Sequence, residues 1–202
     1  FWVYGADGQR LEELQLDNEH AKSVPGVCLN CHGGVYDEAT NSVKGARFLP
    51  FDLETFEYGT GDRSESAQSE AFRKLNLIVK KTNLDNEIAT LLDGLYQNNI
   101  DKPGQLYDRN YVPEAWKDNS LEYTYVIKPY CRGCHIGIGK SFEEFGAIPK
   151  VFFEPFICQS QPGFPVMPHA EMSDLAFWDD QSALQLAVED VEACRKSRFG
   201  QF

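Results

Sequence analysis

The chain of 202 residues reads as a mainly α protein of two helical modules, residues 1–100 and 101–202, with long irregular loops. Three features predict this. Apolar residues recur at helical spacing in several stretches, whereas the alternation of a half-buried strand is weak throughout. One short unit, Cys-x-x-Cys-His, occurs once in each half, at Cys28/Cys31/His32 and Cys131/Cys134/His135, and the sequences flanking the two do not match.

Taken in order, residues 48–62 (FLPFDLETFEYGTGD) carry Pro50 and two glycines and predict an irregular packed loop. From Ser64, the positions Ala67, Ala71, Phe72, Leu75 and Ile78 form one helical stripe. Asn83 or Asp85 is placed to cap a next helix whose apolar face is Ile88, Leu91, Leu92 and Leu95. The polar run 97–110 predicts the linker between modules. Asn119 or Ser120 is placed to cap a helix holding Leu121, Tyr125 and Val126, which Pro129 should kink or restart just before Cys131. Residues 140–170 are rich in proline and aromatics, so they should be extended or looped around something apolar. Ser173 or Asp174 would cap a short helix through Phe177 and Trp178. A terminal helix over 182–197 would turn Leu184, Ala187, Val188 and Val191 inward.

Composition narrows the function classes. Hydrophobic residues make up 42% of the chain, which is an ordinary globular share and not that of a disordered one. The net charge of −12 argues against nucleic acid, since phosphate contact needs clustered Lys and Arg. An acidic surface favours basic partners, or simply keeps the chain soluble. No apolar run approaches the roughly 18 residues of a membrane span. The opening FWVYGADGQRLEE lacks the basic start and apolar stretch of a secretory leader, so the chain reads as a mature or excised domain.

The paired Cys-x-x-Cys-His units carry the chemistry. A redox dithiol needs one Cys-x-x-Cys and no adjacent histidine. Zinc would take four soft ligands from two pairs, but ribbon sites separate their pairs by roughly 15–20 residues, far less than the gap here. Zinc also gives no reason for a histidine after each second cysteine. Haem c accounts for all three residues: each thiol adds to a porphyrin vinyl group, and the adjacent imidazole becomes the proximal iron ligand. Two covalently attached haems are therefore expected, with His32 and His135 on iron. Covalent haem is assembled outside the cytoplasmic membrane, where structural disulfides persist. The two cysteines left over, Cys158 and Cys194, then pair; the alternative is two buried thiols.

The far side of each iron must draw on Met167, Met172, His169 and His20, the remaining methionines and histidines. Met167 precedes Pro168 in a loop downstream of the second unit, which makes it the expected ligand opposite His135. His169 competes with it, or bonds a propionate or caps a helix, and Met172 is expected to pack. His20, eight residues before Cys28, is the candidate opposite His32; otherwise it is an exposed histidine and that iron is open.

The stretches CLNCHGG, GARFLPFDLETFEY, AFRKLN, YCRGCH and MPHAEMSDLAFW, spanning roughly residues 28 to 178, resemble bacterial exported dihaem c-type cytochrome domains. The resemblance implies two cytochrome-c-like helical modules wrapped round two haems. It implies that Cys28, Cys31, Cys131 and Cys134 anchor them, that His32 and His135 bind iron, and that Met167 is the sixth ligand of the second. It gives no distal ligand for the first. Some domains of this kind occur in larger secreted proteins beside polysaccharide-binding modules.

The expected function is electron transfer between redox protein partners, one offering a basic docking face, in the periplasm or outside a bacterial cell. Trp116, Tyr125, Tyr130, Phe152, Phe153 and Trp178 are candidates to line haem pockets, or are plain core. Gly33 and Gly34 would let backbone pass close to a porphyrin, and Arg47 and Arg132 are candidate propionate partners. The alternative is a dihaem peroxidase-like enzyme with an open first iron. It would need a distal acid–base group, for which Glu54 and Glu57 are the candidates.

Overall fold

The computed structural model describes residues 1–15, 21–82, 87–138, 157–158 and 171–199, with the backbone alone at 171, 172, 198 and 199. It is mainly helical. The chain divides into two compact units, Phe1–Tyr111 with Gly133–Ser141, and Val112–Arg132 with Phe142–Phe202. Among the described residues, no helix is long and apolar enough to cross a membrane.

The first unit opens with strands that the sequence reading did not anticipate. β1 (Val3–Tyr4) pairs antiparallel with β2 (Arg10–Leu11), β3 (Glu13–Gln15) with β4 (Ala21–Ser23), and β5 (Val35–Asp37) with β6 (Ser42–Lys44). Strands of two or three residues show no alternation to read. Turn chemistry marks them instead. Asp7 Oδ1 accepts from Gln9 N at 3.0 Å ahead of Gly8, which sits at φ 78°. In the third hairpin Asn41 takes the left-handed turn position and accepts from Tyr36 Oη at 2.8 Å. Helix α1 (Gly26–His32) follows β4 and leads into the β5–β6 hairpin.

α2 (Glu65–Lys81) starts where expected, with the Ser64 hydroxyl accepting from Ala67 N at 3.3 Å. Its buried face is not the expected stripe. Leu75 and Ile78 are 41% and 60% exposed, while Arg73, Asn76 and Val79 are buried. Polar side chains turn inward here because each meets a backbone that needs them. Asn76 accepts from Phe51 N at 2.7 Å and donates to Phe51 O at 2.9 Å and Tyr96 Oη at 3.2 Å. Arg73 donates to Ile100 O and pairs with Glu70. Those bonds satisfy groups that burial would otherwise leave unpaired.

α3 (Glu87–Leu95) buries Ile88, Leu91, Leu92 and Leu95 as its pattern predicts, and with Val79, Tyr96, Ile100 and Ile136 they form the core of this unit. Asn83 and Asp85, the expected caps, lie outside the described residues. Residues 97–110, expected as a linker, are bonded into the unit: Asp108 N donates to Leu95 O at 2.7 Å and Tyr107 Oη to Asp52 Oδ1 at 2.6 Å. Arg109 bridges Glu54 at 3.1 Å and Glu65 at 2.5 Å.

In the second unit a 3₁₀ segment, Glu114–Asn119, precedes the short α4 (Ser120–Glu122), which runs into a π-helix over Tyr123–Cys131. Pro129, expected to kink or restart the helix, sits inside this wider coil, and α-helical geometry resumes at Arg132. Proline supplies no N–H there, and Arg132 N bonds to Ile127 O, five residues back. The inward face is Tyr123, Val126, Ile127 and Cys131, while Leu121 and Tyr125 are exposed. Asn119 makes no side-chain cap bond. α5 (Arg132–His135) follows.

The expected terminal helix is in fact two, α7 (Gln181–Ala187) and α8 (Val191–Phe199), preceded by α6 (Glu171–Asp179). α6 begins before Ser173 and Asp174, the expected caps. Extended backbone at Val188 breaks the run, and each half has its own aspartate cap: Asp180 accepts from Ser182 N and Ala183 N, and Asp190 from Ala193 N. The core gathers Trp116, Tyr123, Val126, Ile127, Phe177, Trp178, Ala183, Leu184, Ala187 and Val188, and Cys158 and Cys194 join it as a disulfide.

Candidate functional site

The first Cys-x-x-Cys-His is the whole of the helix α1 after Val27. Pro25 starts that helix, since its carbonyl accepts from Cys28 N at 2.9 Å and from Leu29 N at 3.2 Å. One helical turn then sets Cys28 and Cys31 on neighbouring positions with His32 beside them. Gly33 ends the helix in the left-handed region at φ 65°, its N–H on Leu29 O at 2.8 Å.

His32 is held by two reciprocal bonds. Its Nδ1 lies 2.7 Å from Arg47 O, and Arg47 N donates to His32 O at 2.9 Å. A carbonyl only accepts, so the proton of the neutral ring is on Nδ1 and the lone pair on Nε2. This is how proteins prepare an imidazole for a metal: the second nitrogen donates to a fixed acceptor, which sets ring orientation and tautomer. The ring borders a cleft of about 440 Å³ lined by Phe1, Val43, Ala46, Arg47 and Phe48 among others. The Phe1 ring sits 4.8 Å from it, centroid to centroid. A largely apolar cleft of that size is within the range that holds cofactors.

The Arg47 side chain pairs with Glu87 at 3.5 Å, so the part of this residue that touches the histidine is its backbone. Glu54 is engaged by Arg109 at 3.1 Å. Arg132, the other expected propionate partner, is 1% exposed in the second unit, where it donates to Tyr123 Oη at 3.1 Å.

The two Cys-x-x-Cys-His units are linked through their second cysteines. Cys31 and Cys134 both belong to the first unit, and Cys31 Sγ donates to Cys134 Sγ at 3.2 Å without a disulfide between them. Two glycines, Gly33 and Gly137, allow the approach, and Gly34 is needed for a different contact. A Cβ on Gly33 would lie 2.8 Å from Gly137 O, and one on Gly137 would overlap Cys31 O. One on Gly34 would meet Ala46 N at 2.6 Å and Lys44 O at 2.7 Å. The neighbour that requires Gly33 and Gly34 is therefore other backbone. Gly137 was not singled out from the sequence. A signal for it exists, because a glycine follows each histidine within two residues, in His32-Gly33 and His135-Ile136-Gly137.

Neither Cys31 nor Cys131 carries an activated thiol. The bond to Cys134, burial, and repulsion from Cys134 all push the Cys31 thiol upward. Cys131 is buried in the second unit, its thiol 3.7 Å from Val126 O, and burial with the Glu122 charge pushes it up to about 12. An activated thiol is displaced in the opposite direction. Nor is a zinc cage assembled: among the described residues, no three His, Cys, Asp or Glu side chains gather closely enough to hold a metal ion. Haem c asks for two thiols and one oriented imidazole per site, and Cys28, Cys31 and His32 fit that requirement.

The leftover cysteines pair as expected, Cys158 with Cys194, at a sequence separation of 36. Met167, His169 and His20 lie outside the described residues, as does the Met172 side chain within α6, and Phe152 and Phe153 do too. Trp116 and Trp178 are buried core of the second unit, Tyr130 is half-buried, and Tyr125 is 50% exposed. Tyr130 Oη donates to Asp180 Oδ2 at 2.8 Å, a contact that ties the π-helix to the cap of α7. No protein-family model, curated protein or solved structure matches the chain.

Proposed function

We propose that the chain is a dihaem c-type cytochrome, with two cytochrome-c-like modules, that carries electrons between redox protein partners outside the bacterial cytoplasm. The observation that carries this reading is the His32 Nδ1 bond to Arg47 O at 2.7 Å, on a helix that also presents Cys28 and Cys31. It leaves Nε2 as the free ligand atom beside an apolar cleft. The disulfide agrees with an oxidising compartment.

In this reading Cys28 and Cys31 anchor the first haem, Cys131 and Cys134 the second, and His32 and His135 are the proximal ligands. Haem supplies one-electron chemistry when bound, its potential set by axial ligands and exclusion of water. The chain's own part is to hold the imidazole. The Arg47 carbonyl fixes the proton on Nδ1 and raises the basicity of Nε2, while Phe1, Val43 and Phe48 give the cleft apolar walls. Met167 and His20 remain the proposed distal ligands of the second and first irons.

The peroxidase-like alternative differs from this reading in leaving the first iron open. Haem content by the pyridine haemochrome spectrum, with electron paramagnetic resonance of the oxidised protein, tests both. Two haems per chain with low-spin iron at each support the electron carrier. A high-spin first iron that turns over peroxide supports the enzyme, and a colourless protein overturns both.

A further inference from the structure

Cys31 and Cys134 meet as thiols. Cys31 Sγ donates to Cys134 Sγ at 3.2 Å, although 103 positions separate the two in sequence. A disulfide holds its sulfurs about 2.0 Å apart, so closing this pair asks for a movement of roughly 1 Å. The segments behind the sulfurs are already in contact, since a Cβ on Gly137 would overlap Cys31 O. Both cysteines are half-buried, within reach of a small oxidant. We propose that Cys31 and Cys134 are a disulfide-forming pair in the chain before haem is attached.

The oxidant is a second disulfide, the class that the Cys158–Cys194 bond itself calls for. One sulfur of the pair attacks it as thiolate, which forms a mixed disulfide and releases one oxidant thiol. The other sulfur of the pair then displaces the second. One S–S bond breaks and one forms; Cys31 and Cys134 together give up two electrons and two protons, and the oxidant leaves as two thiols. The bond to Cys134 and burial push the Cys31 thiol upward, which makes Cys31 a slow partner and not a redox catalyst. Cys28 is the rival for Cys31, one helical turn away on α1. The geometry favours Cys134, because the Cys31 thiol already points at its sulfur.

The pairing stands on the thiol geometry alone, and its consequence rests on the dihaem reading. Haem attachment adds an S–H across a vinyl group, and a disulfide has no S–H to add. One bond therefore withdraws the second cysteine of both attachment units together, and a thiol reductant returns both.

The test is peptide mapping of the full chain, produced without haem attachment and incubated with oxidised glutathione at mildly alkaline pH. The sample is alkylated and digested with trypsin without reduction. Cleavage after Lys22, Lys44, Arg132 and Lys140 places Cys31 in 23–44 and Cys134 in 133–140, apart from Cys131. These two peptides are expected to be joined in most chains and released by dithiothreitol. Cys28→Ser should keep the link and Cys31→Ser should lose it. Oxidation in guanidinium should lower its yield several-fold, because folding brings the two sulfurs together across a long loop. A link that survives Cys31→Ser, or forms equally in denaturant, overturns the inference. Cys28 joined to Cys31, or all four thiols alkylated, also overturns it and leaves the dihaem reading standing. The expected link in a chain that takes up no haem when expressed with the attachment machinery supports the pairing and overturns the dihaem reading.

Discussion

His32 and Arg47 grip each other through the Arg47 backbone: His32 Nδ1 donates to Arg47 O at 2.7 Å, and Arg47 N donates to His32 O at 2.9 Å. The arginine side chain takes no part in this and pairs with Glu87 at 3.5 Å. Two substitutions at one position therefore separate the roles. Arg47→Ala loses a partly exposed ion pair and should cost about 0–1 kcal/mol. Arg47→Pro also loses the N–H that holds His32 O, and should cost a further ~1 kcal/mol or more. Urea denaturation measures both costs. On the proposed haem reading, only the proline variant should also disturb the iron spectrum, because only it loosens the histidine. Equal effects from both variants would place the contribution in the guanidinium instead.

Asn76 is fully buried and meets Phe51 twice, accepting from its N–H and donating to its carbonyl. Asn76→Ala leaves both backbone groups inside the first unit without their partner. The expected loss is roughly 2–4 kcal/mol, read from the denaturation midpoint, since each buried orphan costs its own desolvation. Leu75→Ala on the same helix is the control. Leu75 is 41% exposed, and its truncation should cost about 0.5 kcal/mol or less.

That contrast also shows how far the sequence could be read. The face of α3 was legible because four aliphatic residues at helical spacing have no other way to be buried. The face of α2 was not, because Asn76 and Arg73 turn inward to serve the backbones of Phe51 and Ile100, and no local pattern announces such remote partners. The Cys-x-x-Cys-His units were legible as motifs, and α1 sets Cys28, Cys31 and His32 on one helix as their spacing predicts. Their union through Cys31 and Cys134 was not, because it depends on Gly137 meeting Cys31 across a long stretch of chain. The three hairpins were too short to show a period, and Val188 broke a terminal helix whose apolar spacing runs on through the break.

The Cys158–Cys194 disulfide closes a loop of 36 residues and ties α8 into the core of the second unit. Cross-linking a loop of that length restricts the unfolded chain and contributes about 2–4 kcal/mol. The double variant Cys158→Ala/Cys194→Ala should therefore unfold at lower temperature by calorimetry. Reduction of the wild-type protein should lower its transition to a similar degree. A transition unmoved by either treatment would mean that the pairing adds nothing to the helices already packed around it.

Glu70 gives the first unit its own acid sensitivity. Its carboxylate accepts from Arg73 at 2.6 Å and from Gly104 N at 3.1 Å, and these bonds lower its pKa to about 2, with Arg73 the larger cause. A folded pKa below the unfolded one means that the contribution is complete above the ordinary carboxyl value near 4.5 and is lost as pH falls toward 2. Glu70→Gln removes the titration while keeping a side chain of the same shape. At neutral pH the variant should melt below wild type. The gap should close as the solution is taken down through about pH 4 to 2, because wild-type Glu70 is by then protonated as well. Melting curves at a series of pH values measure this directly, and a gap that stayed constant over that window would show that Glu70 acts on stability through something other than its charge.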